Sequence, residues 1–232
     1  KCKEIGKIPV SMGVDTWGVD FVLMDKDDKV LGNTVGYRDH RNEGMDEEVY
    51  KTISLEDLYA RTGIQKAIFN TVYQLMAVKT KHPEYLEQAE TMLHVPDYFH
   101  YLLTGKKTCE YTEATTGQLV NAETKDWDYE LIDKLGYPRK MFQKLIMPGT
   151  SVGHFTEEVK AEVGFDVEVV APATHDTGSA VLAVPANDDD FIYISSGTWS
   201  LMGIEREKAD CSKKSCEMNF TNEGGYAGRF RY

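Results

Sequence analysis

Short apolar runs recur along the chain and alternate with segments whose apolar residues repeat at helical spacing. The runs at residues 10–14, 21–24 and 167–170 have the length and composition of strands. The second run turns through the polar residues 25–28 into another apolar stretch at residues 29–31, a pattern that predicts a hairpin. Because strands and helices alternate in this way, the sequence indicates an α/β fold.

The expected helices are marked by the residues at their ends. Ser54, with an acidic residue three positions later, predicts a helix that begins near it. Pro96 and Gly105 bracket a second helix. Thr156 and Gly164 bracket a third, since hydroxyl residues favour helix starts and glycine favours helix ends.

The size and composition of the chain are those of a folded globular protein. With 232 residues, 41% of them hydrophobic and 28% charged, it is long enough for one large domain or two unequal ones. Its formal net charge of −12 repels nucleic acid phosphates and anionic lipids. No apolar run approaches the roughly 20 residues of a spanning helix, and the first residues lack the apolar stretch of a signal peptide. We therefore expect a cytoplasmic protein without nucleic acid or membrane partners.

The cysteines do not form a recognisable metal motif. They are Cys2, Cys109, Cys211 and Cys216. No CxxC pair occurs among them, and the closest two stand five positions apart with no histidine beside them, so the spacing predicts no zinc site. Cys211 and Cys216 could close a small disulfide loop, but reduced thiols are expected in a cytoplasmic chain.

A polar loop at residues 171–178 follows the strand-like run at residues 167–170 and precedes an apolar, helix-like segment. Asp176 therefore lies at the carboxyl end of a strand, between His175 and Thr177. Ligands bind at this edge of open α/β sheets, and a carboxylate there can accept a proton from a bound hydroxyl. The alternative is that Asp176 caps the following helix. The local sequence leaves both interpretations open.

A turn of small residues at 195–200 follows the apolar run at residues 191–194. Gly197 lets the backbone approach a ligand closely, and the hydroxyl of Thr198 adds a hydrogen-bond donor without bulk. Consecutive amides in such a turn can hold a phosphate. An ordinary hairpin turn is the favoured alternative on local sequence alone.

The loop at residues 15–20 follows the first strand and presents another possible ligand surface. Gly18 could let a small ligand lie against the backbone, and Trp17 offers a flat apolar wall of the kind found beside carboxylates in carbohydrate sites. A single tryptophan near a turn is more often part of the core. The charged cluster at residues 37–41 is equally open, because it fits both a solvated loop and an ion-paired wall of a site.

A polar stretch at residues 185–190 cannot join a core and directly precedes the apolar run at residues 191–194. We place a domain boundary there, which divides the chain into residues 1–186 and residues 187–232. Neither GxxxxGK[ST] nor GxGxxG occurs, so the local sequence predicts no familiar nucleotide loop.

Taken in order, these loops resemble those of the FGGY family of carbohydrate kinases. The likeness spans nearly the whole chain and is carried by residues 12–21, 37–39, 69–75, 96–99, 103–105, 110–112, 114–116, 118–121, 175–177, 195–203 and 221–225. It implies an α/β fold of the actin-like, ribonuclease H-like class, in which two domains close over a sugar and ATP. Most relatives carry a tryptophan in place of Tyr37 and a lysine-tryptophan signature near Gln74, so these departures favour the branch that acts on L-rhamnulose.

The resemblance also implies an activity and the residues that perform it. We expect ATP-dependent phosphorylation of L-rhamnulose to L-rhamnulose 1-phosphate in L-rhamnose catabolism, with Mg²⁺ arriving on ATP. Asp176 is then the catalytic base. Gly18, His175 and Thr177 contact the sugar, and Thr198 contacts a phosphate of ATP. The resemblance assigns no metal ligand within these residues and does not address the oligomeric state.

The resemblance also implies that segments of the family are missing at both ends of this chain. Family members begin with a strand and a phosphate-binding loop that would precede Lys1, and they continue past Tyr232 into the rest of a second domain. We therefore expect most of the first kinase domain, lacking its first strands, and the beginning of the second. The alternatives are another ketose or polyol kinase of the family, or a sugar-binding fragment without catalytic activity.

Overall fold

The computed structural model describes residues 1–188 and 190–232 of the chain. Its strands are β1 (Ser11–Met12), β2 (Phe21–Met24), β3 (Thr91–His94), β4 (Cys109–Glu110), β5 (Val120–Asn121), β6 (Asp126–Trp127), β7 (Leu145–Ile146), β8 (Ser151–His154), β9 (Glu168–Val170), β10 (Tyr193–Ser196), β11 (Ser200–Gly203), β12 (Glu205–Arg206), β13 (Glu223–Gly224) and β14 (Phe230–Arg231). Its α-helices are α1 (Met45–Tyr50), α2 (Leu55–Thr62), α3 (Thr71–Lys81), α4 (Pro83–Gln88), α5 (Val95–Thr104), α6 (Tyr111–Thr116), α7 (Tyr129–Leu135), α8 (Glu157–Val163), α9 (Asp176–Leu182) and α10 (Lys213–Glu217). Short 3-10 helices span His40–Asn42, Arg139–Met141 and Tyr226–Gly228. Strands and helices alternate along the chain, so the predicted α/β class is confirmed.

One small sheet joins the beginning of the chain to its middle. β1 lies parallel to β9, with Ser11 opposite Glu168 and Met12 opposite Val169. β9 also pairs with β8 in antiparallel orientation. The strand predicted at residues 10–14 is thus present in shortened form, and β9 agrees with the predicted run. Because β1 and β9 are parallel neighbours, their carboxyl ends open at the same edge of the sheet.

The second predicted strand, β2, is buried along its whole length. The chain turns back after it as predicted, with the Leu31 amide donating to the Leu23 carbonyl at 2.9 Å. That return stretch contributes a single bridge, between Met24 and Val30, and the main partner of β2 is the antiparallel strand β3. A buried strand needs partners for its backbone groups on both sides, and local sequence does not reveal a partner so distant in the chain.

The helix ends follow the local signals in the sequence. Ser54 Oγ accepts a hydrogen bond from the Asp57 amide at 3.1 Å, and Thr156 Oγ1 accepts one from the Val159 amide at 3.3 Å. Gly105 ends α5 in the left-handed region, at φ 71°, where a side chain would be strained. The predicted helices that begin near Ser54 and Thr156 and end at Gly105 are confirmed.

The main hydrophobic core lies between β2, β3 and α3. Every residue of both strands is buried, and so are residues 71–78 of α3. Tyr73 and Leu75 of that helix are fully buried, and burial of a side chain such as leucine contributes about 1.5–3 kcal/mol. A smaller apolar cluster around Val169 packs β8 and β9. The loop at residues 15–20 leads directly into the buried strand β2.

The last part of the chain packs against helices of the first part. β12, β14 and β13 form an antiparallel sheet. The hydroxyl of Tyr59 in α2 lies 2.8 Å from Ser215 Oγ in α10. Asn222 Nδ2 donates to the Gly63 carbonyl at 2.9 Å. These hydrogen bonds are largely buried and attach the final sheet to the first helical layer.

β10 and β11 form an antiparallel hairpin, with Tyr193 opposite Gly203 and Ser196 opposite Ser200. The strand predicted at residues 191–194 begins two residues later and includes two serines, because pairing with β11 sets its ends. The division of the chain between residues 186 and 187 stays a prediction. Within the described residues, no helix combines the length and apolar character that crossing a membrane requires.

Candidate functional site

Two of the loops identified from sequence meet at the carboxyl ends of β1 and β9. The Thr16 amide donates to the Thr174 carbonyl at 2.9 Å, and the Asp176 amide donates to the Thr16 carbonyl at 2.8 Å. These bonds extend the parallel pairing of β1 and β9 beyond the strands themselves. The backbone therefore brings the loop that contains Gly18 alongside the loop that contains Asp176.

The carboxylate of Asp176 is held at the start of a helix and remains accessible. Its side chain is 56% exposed, and Oδ1 accepts a hydrogen bond from the Thr177 amide at 2.6 Å. His175, with extended backbone, occupies the N-cap position, so Asp176 is the first helical residue. The N-cap position itself is therefore held by His175, whose side chain makes no capping bond, while the Asp176 carboxylate accepts from a first-turn amide.

His175 connects Asp176 to a buried ion pair that the sequence analysis did not identify. Its Nε2 lies 3.6 Å from Asp176 Oδ1, and its Nδ1 lies 3.2 Å from Glu223 Oε2. Arg231 Nη2 lies 3.1 Å from the same Glu223 oxygen and 3.1 Å from His175 Nδ1. Arg231 is 2% exposed, so its charge depends on Glu223 for compensation.

The pKa of Glu223 reflects this arrangement. Burial acts to raise the pKa, but the neighbouring charges of His175 and Arg231, together with the hydrogen bond from His175, lower it to about 2. Glu223 therefore stays ionised through the neutral range and fixes the ring of His175 from the side opposite Asp176. Sequence reasoning assigned no role to Glu223, which stands far from His175 in the chain.

The backbone just before Asp176 is held by the buried side chain of Glu110. Glu110 Oε2 accepts hydrogen bonds from the Thr174 amide at 3.0 Å and from Thr174 Oγ1 at 2.8 Å. Its Oε1 accepts one from the Thr112 amide at 2.9 Å, at the start of α6. Glu110 thus ties α6 to the loop that carries the candidate base. The sequence offers no local signal for this contact, because Glu110 and Thr174 are joined only by the fold.

Thr177 and Gly18 are placed beside Asp176 in different ways. Thr177 is 8% exposed, and its hydroxyl lies 3.3 Å from Asp176 Oδ1. A Cβ atom on Gly18 would lie 3.0 Å from Cγ2 of Thr116, so that direction is filled by protein. Gly18 does not occupy the left-handed region. Gly18 therefore packs closely against Thr116, and its backbone is the part that remains for a ligand.

The next residue, Val19, has φ 72°, which is strained for a β-branched side chain. Its amide donates to Thr116 Oγ1 at 3.1 Å, and its carbonyl accepts from Thr71 Oγ1 at 2.7 Å. Strain of this kind costs about 1–3 kcal/mol and is concentrated at functional sites. The loop after β1 is thus a fixed, strained turn, which sequence reasoning did not detect.

Trp17 stands at the surface, with its indole oriented by a buried carboxylate. It is 49% exposed, and Nε1 donates to Asp20 Oδ2 at 2.8 Å. Asp20 also accepts from the Tyr37 amide at 3.1 Å and from Gln74 Nε2 at 2.9 Å. The interpretation of Trp17 as a core residue is therefore wrong, because the hydrogen bond to Asp20 holds the ring outside the core.

An aromatic group extends this surface towards the β10–β11 hairpin. The ring of Phe69 lies 5.3 Å from that of Tyr37 and 6.1 Å from that of Trp199. The Arg38 guanidinium lies 5.2 Å from the Tyr37 ring and 6.0 Å from the Trp199 ring. Part of the charged cluster at residues 37–41 is therefore a wall of this surface, and not only a solvated loop.

Thr198 lies in the exposed turn of the hairpin. The Gly197 amide donates to the Trp199 carbonyl at 2.7 Å, and Ser196 Oγ lies 2.9 Å from Ser200 Oγ across the turn. The segment is a hairpin turn, as the favoured alternative predicted. The Gly197 amide is already used within the turn, whereas Thr198 is exposed beside it.

The chain matches the N-terminal domain of the FGGY family of carbohydrate kinases over residues 5–183. It is 55% identical, over 232 residues, to a rhamnulokinase from Halalkalibacterium halodurans, covering 100% of this chain and 50% of that protein. A rhamnulokinase from Oceanobacillus iheyensis is 52% identical over 227 residues, covering 98% of this chain and 48% of that protein. The chain thus spans about half the length of the curated relatives it matches.

Solved structures share the fold at low sequence identity. A ligand-bound xylulose kinase from Lactobacillus acidophilus superposes with a TM-score of 0.85 at 19% identity, covering 96% of this chain and 45% of that one. A glycerol kinase from Plasmodium falciparum, solved with ADP, gives 0.81 at 16% identity, covering 97% and 46%. The expected actin-like kinase fold is confirmed. With a family match over most of its length, the chain belongs to the FGGY family of carbohydrate kinases.

Proposed function

We propose that this chain carries the sugar site and the catalytic base of an ATP-dependent kinase that converts L-rhamnulose to L-rhamnulose 1-phosphate. The observation that carries the proposal is the half-exposed carboxylate of Asp176 at the carboxyl ends of two parallel strands. The choice of sugar is supported by relatives named rhamnulokinase that are 46–55% identical over nearly the whole chain.

Asp176 removes the proton from the C1 hydroxyl of the ketose as that oxygen attacks the transferred phosphoryl group. Its hydrogen bonds from Thr177 and its approach to His175 all fall on Oδ1. We therefore assign Oδ2 to the sugar hydroxyl. His175 is oriented by Glu223 and Arg231, and a fixed ring there limits the positions that Asp176 can adopt.

The sugar lies against the loop after β1. Trp17 supplies an exposed aromatic face beside the Asp20 network, and Gly18 supplies backbone. His175 and Thr177 supply polar atoms on the opposite loop. Rings of ketoses present apolar C–H faces and polar edges, so this pairing of an aromatic face with polar groups suits them.

The nucleotide side of the site is assigned to the β10–β11 hairpin. Space around Gly197 is open, since a Cβ atom there would meet nothing within 4 Å, and Thr198 is exposed beside it. Among the described residues, only this turn is assigned to the nucleotide. The described residues do not supply a full set of ligands for Mg²⁺. ATP supplies the phosphoryl group when bound, and Mg²⁺ neutralises its charge. Thr198 would orient a phosphate through its hydroxyl.

The second domain and the cellular compartment of the enzyme are part of the proposal. We take residues 187–232 as the beginning of the second kinase domain, which contributes the nucleotide side. We take the cytoplasm as the compartment.

The proposal is tested by separating sugar binding from turnover. Calorimetry on this chain should show L-rhamnulose bound at least about tenfold more tightly than D-xylulose or glycerol, a difference of about 1.4 kcal/mol. Turnover is measured in an extended form, in which this chain replaces the matching half of the Halalkalibacterium halodurans rhamnulokinase. Equal or tighter binding of D-xylulose, or an extended form that phosphorylates none of the three compounds, would overturn the proposal.

A further inference from the structure

A second cluster of reactive side chains lies in the core, behind the loop that carries Asp176. His94 ends β3, Asp97 lies in the first turn of α5, and Cys109 begins β4. Each is fully buried, with 0% exposure. Their potential ligand atoms all lie within 4.8 Å of one another. The fold thus brings a nitrogen, an oxygen and a sulfur donor from separate elements to one point.

The donors of this cluster are poorly satisfied by the protein. Among the described residues, neither ring nitrogen of His94 has a hydrogen-bond partner, and neither does Asp97 Oδ2. Cys109 Sγ donates a long hydrogen bond, 3.6 Å, to the Met92 carbonyl and also interacts with the backbone of Gln143 and His94. Buried polar atoms are nearly always hydrogen-bonded, so several unpartnered atoms facing one point indicate a missing ligand.

The charges around the cluster also lack compensation. Asp97, Glu110 and Glu113 are all fully buried. Glu110 is satisfied by threonine and backbone donors, but both oxygens of Glu113 are unpartnered. In the part of the chain that the structure describes, the ion pairs found for lysine and arginine include none of these carboxylates.

We propose that His94, Asp97 and Cys109 bind one divalent cation, zinc by the chemistry of the donors, in a closed structural site. Imidazole nitrogen, thiolate sulfur and carboxylate oxygen together are a zinc donor set, and structural zinc is held by four such ligands. These three side chains supply three of the four positions. The Cys109 proton is released to solvent as the thiolate forms.

The cation also stabilises the proposed catalytic loop at a distance. Asp97 Oδ1 accepts a hydrogen bond from the Glu110 amide at 3.0 Å. Glu110 in turn holds Thr174, two residues before Asp176. A metal that fixes Asp97 therefore supports the backbone on which Asp176 stands. The metal does not enter the reaction, and the site does not depend on the identity of the sugar.

The test measures metal content and stability, with no assay of activity. Because the ligands are fully buried, the metal enters during folding, so the chain is refolded from denaturant with Zn²⁺, with Co²⁺ or with a chelator. We expect about one zinc per chain by mass spectrometry of the elements after desalting. The cobalt form should show a thiolate-to-cobalt charge-transfer band. The chelator-refolded form should unfold at a lower temperature.

Two variants within the cluster and one outside it identify the ligands. His94→Leu and Cys109→Ser should each lower zinc affinity by more than about 100-fold. Replacing a residue that only hydrogen-bonds to a metal ligand already lowers metal affinity by about 10–100-fold. Cys216→Ser removes a thiol outside the cluster and should keep full zinc content and the cobalt band. If His94→Leu fails to fold, the cobalt spectrum of the unaltered chain still decides.

Three results would overturn the proposal. The first is an unaltered chain that refolds equally well with chelator and holds no zinc. The second is zinc content that the cluster variants leave unchanged, which would indicate adventitious surface binding. The third is a His94→Leu chain more stable than the metal-refolded parent, since that is expected if His94 and protonated carboxyls simply share an apolar core.

Discussion

Replacing Glu223 with glutamine removes the negative charge that lies between His175 and Arg231 while keeping the size of the side chain. Glu223 Oε2 is 3.2 Å from His175 Nδ1 and 3.1 Å from Arg231 Nη2. In the Glu223→Gln variant the Arg231 charge stays buried without an anionic partner. Loss of one partner of a buried pair costs more than the pair contributes, because the remaining charge cannot be solvated.

The size of the effect can be worked from the pKa of Glu223. The pKa falls from an ordinary value of 4.5 to about 2 in the folded chain. At about 1.4 kcal/mol per pH unit, this difference stabilises the folded chain by on the order of 3 kcal/mol at neutral pH. Removing one partner of a buried ion pair typically destabilises a protein by about 3–5 kcal/mol, which agrees with this value. For a chain of this size the melting temperature should fall by about 6–12 °C.

The pH dependence gives the sharper test. A carboxyl group with a lowered pKa stabilises the fold above its unfolded pKa, and this contribution is lost as the pH falls from 4.5 towards 2. The difference in unfolding free energy between the parent and Glu223→Gln, from urea titrations followed by circular dichroism, should therefore be largest at pH 7 and roughly halved near pH 3.

A matched control is available on the surface. Glu84 pairs with His82 at 3.2 Å, with both side chains about half exposed. Glu84→Gln should leave stability unchanged, because exposed pairs contribute little. If Glu223→Gln costs no more than Glu84→Gln, or costs the same at pH 3 as at pH 7, the reasoning from charge is refuted and Glu223 acts only through packing.

Three further substitutions address the proposed site. Asp176→Asn in the extended form should lower turnover by about 10²–10⁴ with sugar affinity nearly unchanged, measured by a coupled assay and calorimetry; near-normal turnover would exclude Asp176 as the base. Thr198→Val should raise the KM for ATP and leave sugar binding intact, and an equal loss of sugar binding would instead indicate a disturbed hairpin. Gly18→Ala should destabilise the chain by about 1–3 kcal/mol through contact with Thr116, and Thr116→Ser should recover part of that loss. Thermal melting of both variants checks this, and unchanged stability would show that the loop can adjust.

The candidate site could be predicted only in part. Asp176, His175 and Thr177 are adjacent in sequence, and the strand before them identified the edge of the sheet where they lie. Their supports could not be found in this way. Glu223 and Glu110 reach the same loop from distant parts of the chain, and residue frequencies alone favour a core position for Trp17, which is 49% exposed.

Local chemistry determined the elements of this protein. A hydroxyl at Ser54 or Thr156 satisfies free amides within its own helix, and a glycine such as Gly105 adopts left-handed backbone at no steric cost. These effects act over a few residues, so they can be recognised in sequence without knowledge of the fold. The strand runs and the α/β class follow from periodicity in the same way.

Only the tertiary structure decided which elements meet. β2 pairs with β3, and β1 pairs with β9, across long stretches of chain. The ion pair between Glu223 and His175 and the cluster of His94 and Cys109 likewise join residues from separate elements that the fold brings within a few ångströms. Charge compensation and metal binding depend on distance in space, and the spacing of residues along a chain does not specify that distance.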